Sequence, residues 1–271
     1  MRNSVAPLAD IDQNEVQQAI NRQRKPRKTN LTSNAALTIS KLGNYRTDLH
    51  LGNINKINLT KAEHDAYFSL FDSKAAEVSN IKKSVIDLFG SANLCPYCHI
   101  DTYKDLDHFF PRSVFPEFSI SLQNLVPACS TCNTIYKLAL WGNGTGRQFI
   151  HPYFDAIPFD EQFLFCNTIL LTQRIYKIQF YVKPNPNINP TLTDLFDRHF
   201  KSLNLNTRYI AKATSEEVPK IERIISDKLT PDQREAELET FITQQTKANS
   251  INNWTHAFYQ SIHPQLGNIC A

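Results

Sequence analysis

The 271-residue chain has no apolar run approaching the roughly 18–20 residues that a membrane span requires. Its first residues, Met1 to Asp10, lack the long apolar core of a secretory signal. Together these absences predict a soluble, cytoplasmic protein with no membrane contact. Charge of one sign is not in excess either: 29 Lys and Arg face 26 Asp and Glu, a net of +3. That balance argues against a generic nucleic-acid coat protein and says little about a local charged site. Glycine is scarce, and three of the seven sit in Gly142-Asn143-Gly144-Thr145-Gly146. No Lys-Ser/Thr follows that cluster, as a phosphate-cradling loop would need, so it reads as a flexible exit from the preceding segment. With 41% hydrophobic residues the chain is neither disordered nor collagen-like, and its length allows one large domain or two small ones.

The near-neutral total conceals an asymmetry. Residues 1–60 hold nine Lys/Arg and four Asp/Glu, a net of +5, and the remainder nets −2. Most of the excess lies in Arg22-Gln23-Arg24-Lys25-Pro26-Arg27-Lys28, after a short helical stretch from Asn14 to Asn21. Such a run is either a solvated, partly mobile arm or a phosphate-contacting one. Thr60 with Glu63 makes a capping box, and the apolar spacing of Tyr67, Phe71, Ala75, Val78, Ile81, Val85 and Leu88 predicts a helix over 60–90 that Gly90 stops. Residues 163–182 are rich in β-branched and aromatic side chains and predict one or two strands. Lys183 to Pro190 reads as a linker, and helical patterning follows, with Thr230-Pro231-Asp232-Gln233 a helix start and Trp254, Phe258 and Ile262 on one face of a last helix.

A reducing compartment leaves six cysteines without a disulfide role. Four form two pairs with two-residue gaps, Cys95-Pro96-Tyr97-Cys98 and Cys129-Ser130-Thr131-Cys132. Each gap lets both thiolates of a tight turn face one ion, and two such knuckles complete a tetrahedral zinc site. A redox pair would account for one knuckle and not for both. Four thiolates leave the ion no open position, so this zinc is structural. Cys166 and Cys270 read as a strand-core thiol and a tail thiol.

Between and just after the knuckles run Leu106-Asp107-His108-Phe109-Phe110-Pro111, Asn124-Leu125-Val126-Pro127, then Asn133 and Lys137. The ordered set Asp107-His108, Asn124 and Cys129-xx-Cys132-Asn133 resembles the HNH endonucleases, the ββα-metal nuclease family. The spelling is similar to the HNH nuclease subunits of bacterial anti-phage systems such as Septu. The resemblance covers about Leu94 to Lys137, and it implies a metal-dependent endonuclease that cleaves or nicks DNA as a defence effector. His108 is then the general base, Asn124 orients it through a hydrogen bond across a hairpin, and Asp107 with Asn133 holds Mg²⁺ or Mn²⁺. Asn133 stands where the family often has His, and the frequent Gly-Gly is replaced by Phe115-Pro116-Glu117-Phe118-Ser119, which alters the approach of substrate.

The resemblance also implies an α+β fold: a mainly helical chain around a small zinc-stapled ββα-metal core, with a short β segment after it. Residues 1–90 would be a basic arm and helical region, 91–155 the nuclease core, and 156–271 a β segment, linker and helical region. Asn133 to Trp141 is expected to be helical. Lys137, Arg112 and His151 are candidates for contacting the nucleic acid, the last against a packing role, and His99 is second to the zinc or exposed. Partners implied are the DNA substrate and an ATPase subunit or a second copy of the chain. Two alternatives stay open, a zinc-stapled nucleic-acid or protein binding module with an inactive core, and an RNA-cleaving enzyme of the same family.

Overall fold

The computed structural model describes residues 9–52, 54–89, 94–143, 146–158, 160–171, 174–226 and 229–270. Gly90, the expected helix stop, lies outside them, as do the first eight residues and Gly144-Thr145 of the glycine cluster. The chain divides into two compact units, one running up to Asp155 without Cys98–Ile100, the other comprising Cys98–Ile100 and Ala156–Ala271. Helices and small antiparallel sheets mix in an α+β arrangement.

The first unit opens with α1 (Ala9–Asn21), α2 (Arg27–Thr32) and α3 (Ala35–Leu51). Val16, Ile20, Leu31, Leu42 and Tyr45 from these helices are fully buried. The basic run is therefore the folded corner between α1 and α2: Gln23 within it is buried, and its amide donates to the Ala19 carbonyl at 3.1 Å. The predicted 60–90 helix is two helices, α4 (Lys61–Phe68) and α5 (Ala76–Phe89). The Thr60–Glu63 capping box starts α4 as expected. The break has a local cause: Ser69, Asp72 and Ser73 sit in successive i→i+3 turns, and the Ser73 hydroxyl accepts from the Ala75 N–H. Short polar side chains offer the backbone an alternative to helix, which apolar spacing alone does not reveal.

Strands β1 (Asp105–His108) and β2 (Leu125–Ala128) pair antiparallel, with Asp107 opposite Val126 and His108 opposite Leu125. After the second cysteine pair the chain winds as a π-helix over Thr131–Lys137, in which the Leu138 N–H reaches the Asn133 carbonyl at 3.1 Å. The helix expected over Asn133–Trp141 thus starts earlier and stops at Lys137, because Leu138 turns to a positive φ of 46° and ends the ladder. The ends of the glycine cluster pair as β3 (Gly142–Asn143) and β4 (Gly146–Arg147).

In the second unit β5 (Leu164–Leu171) and β6 (Arg174–Val182) form a hairpin, the two strands read from β-branched content. The expected linker is pinned: the amides of Asn185 and Asn187 donate to the Glu161 carboxylate at 2.8 and 2.9 Å. Helices α6 (Pro190–Ser202), α7 (Leu205–Lys212), α8 (Val218–Ser226), α9 (Pro231–Ala248), α10 (Trp254–Ile262) and α11 (Leu266–Cys270) follow. Thr230 caps α9, and Trp254, Phe258 and Ile262 are all buried along α10. Among the described residues no helix is long and apolar enough to cross a membrane.

Candidate functional site

Asp107 and His108 are neighbours on β1, so their side chains leave the strand in opposite directions. His108 turns toward the α4–α5 connection: its Nε2 lies 2.8 Å from the Ser119 carbonyl, and the Phe71 ring meets its ring edge-on at 4.6 Å. A carbonyl only accepts, so Nε2 carries the proton and Nδ1 is left as the basic nitrogen of the neutral ring. Burial lowers the imidazole to about 4, against smaller opposing contributions from the Ser119 bond and the Asp107 charge. The ring is neutral throughout the physiological range. Ser119 is itself anchored, its hydroxyl donating to the Tyr67 carbonyl of α4 at 2.7 Å.

Asp107 turns inward and is almost wholly buried. Its Oδ2 accepts the Tyr97 hydroxyl at 2.7 Å, and Lys137 Nζ lies 3.0 Å from Oδ2 and 3.2 Å from Oδ1. The same ammonium donates to the His108 carbonyl at 2.7 Å. Lys137 is fully buried, and desolvation lowers its pKa despite the Asp107 carboxylate beside it. Expected as a phosphate contact, Lys137 is instead buried and committed to these three oxygens. The π-winding, one residue wider per turn than an α-helix, places Lys137 at that point while Asn133 stays half-exposed on the same segment.

Asp107, His108, Asn133 and Arg112 line one surface cavity of about 580 Å³, with Phe68 and Phe71 as its apolar wall. The Asn133 carboxamide makes no hydrogen bond to another described residue. Arg112 stacks over the Phe68 ring at 4.4 Å and pairs with Asp72 at 2.8 Å, which leaves it at the cavity wall as a cation. Chemically the cavity combines a neutral imidazole, a carboxylate, a free amide and a guanidinium. The carboxylate and amide oxygens are hard donors of the kind that a partly hydrated divalent ion takes.

Two more expected roles change. Asn124, immediately before β2, does not bond to the His108 ring. Its Oδ1 accepts from the Phe110 N–H and the Tyr45 hydroxyl at 2.8 and 2.9 Å, and its Nδ2 donates to the Phe110 and Phe118 carbonyls at 3.0 and 3.2 Å. With every donor and acceptor used, the amide clamps the β1–β2 connection by tying Phe110 to Phe118. His151 is fully buried among Tyr45, Phe109 and Phe154, with the Phe109 ring at 4.2 Å. Burial lowers it to about 3, and it is a packing residue with no access to a nucleic acid.

The Sγ atoms of Cys95, Cys98, Cys129 and Cys132 all lie within 4.8 Å of one another, and all four residues are buried. The Leu94–Thr102 bridge and the Cys95 N–H bond to the Asp101 carbonyl form the first knuckle; the Cys132 N–H points at Cys129 Sγ at 3.4 Å in the second. Tetrahedral Zn–S bonds of about 2.3 Å put sulfur atoms about 3.8 Å apart, so small side-chain shifts close the set on one zinc ion. His99, in the first knuckle, is half-buried with a φ of 54°. Cys166 and Cys270 lie apart from the cluster.

No protein-family model matches the chain, and no solved structure matches it significantly. Two sequence relatives are found. The chain is 33% identical over 171 residues to protein ea31 of Escherichia phage lambda, covering 62% of this chain and 54% of that protein. It is 31% identical over 58 residues to Septu protein PtuB of Bacillus thuringiensis, covering 20% of this chain and 22% of the relative. The chain thus spans about half the length of ea31 and a smaller share of PtuB.

Tyr97, Ser119 and Phe71 shape the site without having been singled out by sequence. Tyr97 had a faint signal, its place inside the first knuckle. Ser119 acts through a backbone carbonyl, which no residue type encodes.

Proposed function

We propose that the chain is an HNH endonuclease that hydrolyses phosphodiester bonds of DNA, cutting or nicking, as an effector of anti-phage defence. The observation that carries this reading is the single cavity in which Asp107, His108, Asn133 and Arg112 meet. The partial similarity to a Septu protein and the four-cysteine cluster support it. His108 removes the proton of a water molecule through Nδ1 while the Ser119 carbonyl holds Nε2–H, and the resulting hydroxide attacks phosphorus as the bond to the leaving oxygen breaks. Arg112 meets a phosphate oxygen at the cavity wall. Asp107 and Asn133 would hold Mg²⁺ or Mn²⁺, which would neutralise charge developing on the phosphoryl oxygens and the leaving oxygen. Zinc at the cysteine cluster would hold the hairpin and the π-helix in register and take no part in hydrolysis. DNA and an ATPase subunit or a second copy of this chain are the proposed partners.

One observation favours the alternative of a zinc-stapled binding module with an inactive core: the Asp107 carboxylate is already neutralised by Lys137. For a divalent ion to bind, Lys137 must yield one carboxylate oxygen while keeping the other and the His108 carbonyl. Cleavage separates the readings. Plasmid DNA, and separately RNA, incubated with the purified chain and Mg²⁺ or Mn²⁺ is expected to show DNA cutting that EDTA stops. His108→Ala should abolish cutting with its zinc content unchanged. Undiminished cutting by that variant removes His108 from the chemistry, and cutting of RNA alone reassigns the substrate.

A further inference from the structure

The basic run between α1 and α2 has no part in the site described so far. It is not a free arm. Gln23 Oε1 accepts from Arg27 at 3.3 Å and from the Ser73 hydroxyl at 3.2 Å, which ties the run to the connection between α4 and α5. The result is a walled surface cavity of about 1020 Å³, lined by the run on one side and by α4 and the α4–α5 connection on the other.

Its charge is lopsided. Arg22, Arg24, Lys25, Arg27 and Lys74 line it against only Asp65 and Glu77. Both acids are already engaged, Glu77 by Arg22 at 2.9 Å and Asp65 by Lys61 at 2.6 Å. Arg24, Lys25 and Lys74 are exposed and make no ion pair with any described residue. Cations this spread and this solvated do not converge on a small anion, which would be held by buried donors. They suit a repeating polyanion that neutralises several of them at once.

The position matters as much as the charge. Ala62, Asp65, Ala66 and Ser69, at helical spacing, line the basic cavity, while Phe68 and Phe71 of the same segment wall the Asp107–His108 cavity. The two cavities flank one helix, whose thickness of about 10 Å equals roughly three steps of a nucleic-acid strand at about 3.4 Å each. We propose that the basic cavity binds the phosphodiester backbone of a DNA strand a few nucleotides from the phosphate seated at His108. The proposal rests on the nuclease reading for the second half of that statement. Lys74 and the Arg24-Lys25 pair act as backbone clamps from opposite walls, and they fix where the strand lies without reading its sequence.

The test is DNA affinity against salt, measured by fluorescence anisotropy on the full chain carrying His108→Ala, with a duplex of about 30 base pairs between about 50 and 200 mM NaCl. Arg24→Glu, Lys25→Glu and Lys74→Glu together should lower affinity at least about tenfold and make the slope of log K against log salt shallower by about 2 to 3. Reversal of three exposed lysines of the second unit, Lys177, Lys183 and Lys247, controls for net charge and should change the slope little. Equal losses in both triples, or an unchanged slope in the first, overturn the proposal. Plasmid cutting by the chain with His108 intact is scored separately. Cutting with an unchanged slope removes the basic cavity and leaves the nuclease standing; a lost slope without cutting keeps the cavity as a DNA surface and removes the nuclease.

Discussion

Lys137 is a fully buried cation, and such a group persists only where its partners replace water. It has three: both oxygens of Asp107 and the His108 carbonyl. A buried ion pair adds little net stability, because desolvation consumes most of its attraction, yet losing one member strands the other. Lys137→Met is therefore expected to lower the unfolding free energy by about 3–5 kcal/mol, read from denaturant midpoints. Adding Asp107→Asn should recover much of that loss, since no naked carboxylate remains. If Lys137→Met unfolds at the wild-type midpoint, the ammonium does not hold Asp107 in solution. Asp12 makes the same point with hydrogen bonds: it is fully buried and accepts from Ser121, Leu122 and Gln123. Those bonds fix residues 121–123, next to the Ser119 carbonyl that sets the tautomer of His108.

The β1–β2 hairpin and the π-helix are each too short to persist alone. Four buried cysteines cluster where the hairpin meets the π-helix, and zinc bound there would contribute to folding outright. Cys129→Ser is expected to lose zinc and to melt at a lower temperature, measured by metal analysis and thermal denaturation on the same sample. A serine variant that retains a full zinc equivalent would exclude this ligand set. The knuckles were legible because ligand chemistry is carried by side-chain identity at fixed gaps. So were the Thr60 and Thr230 caps and the β5–β6 hairpin, each set by local residue type. The α4–α5 break was hidden because Phe71 keeps the helical spacing while turning its ring to His108. The π-winding adds one residue to a turn without a distinctive residue, and the roles of Asn124 and Lys137 depended on which oxygens tertiary packing left free.

Across the first unit, ionisable groups are buried in forms that acid attacks. His151 is held neutral in the core, at about 3, and His108 at about 4, burial being the main cause in each. In the unfolded chain both imidazoles return to about 6.5, so between about 6.5 and 4 the unfolded state binds more protons and stability falls as pH drops. Asp155 has the same sign at lower pH. Burial alone would raise it, but the two Arg147 bonds at 2.8 Å, the Arg147 charge and the His151 N–H hold it below the ordinary carboxylate range. Its contribution is present above the unfolded value and lost as pH falls through the folded one. Asp12 opposes them, because burial raises its carboxyl and the folded chain then binds the proton more tightly. Between about pH 6.5 and 5 the two histidines pull stability down, while Asp12, with its raised carboxyl, works against them. There the unfolding free energy should fall by up to about 1.4 kcal/mol per pH unit for each histidine, about 2.7 together at most. Urea midpoints collected across that window check the slope, and His151→Gln should remove about half of it. A chain whose stability is flat from pH 6.5 to 5 has its histidines hydrated, and neither the packed core around His151 nor the neutral imidazole of His108 would then stand.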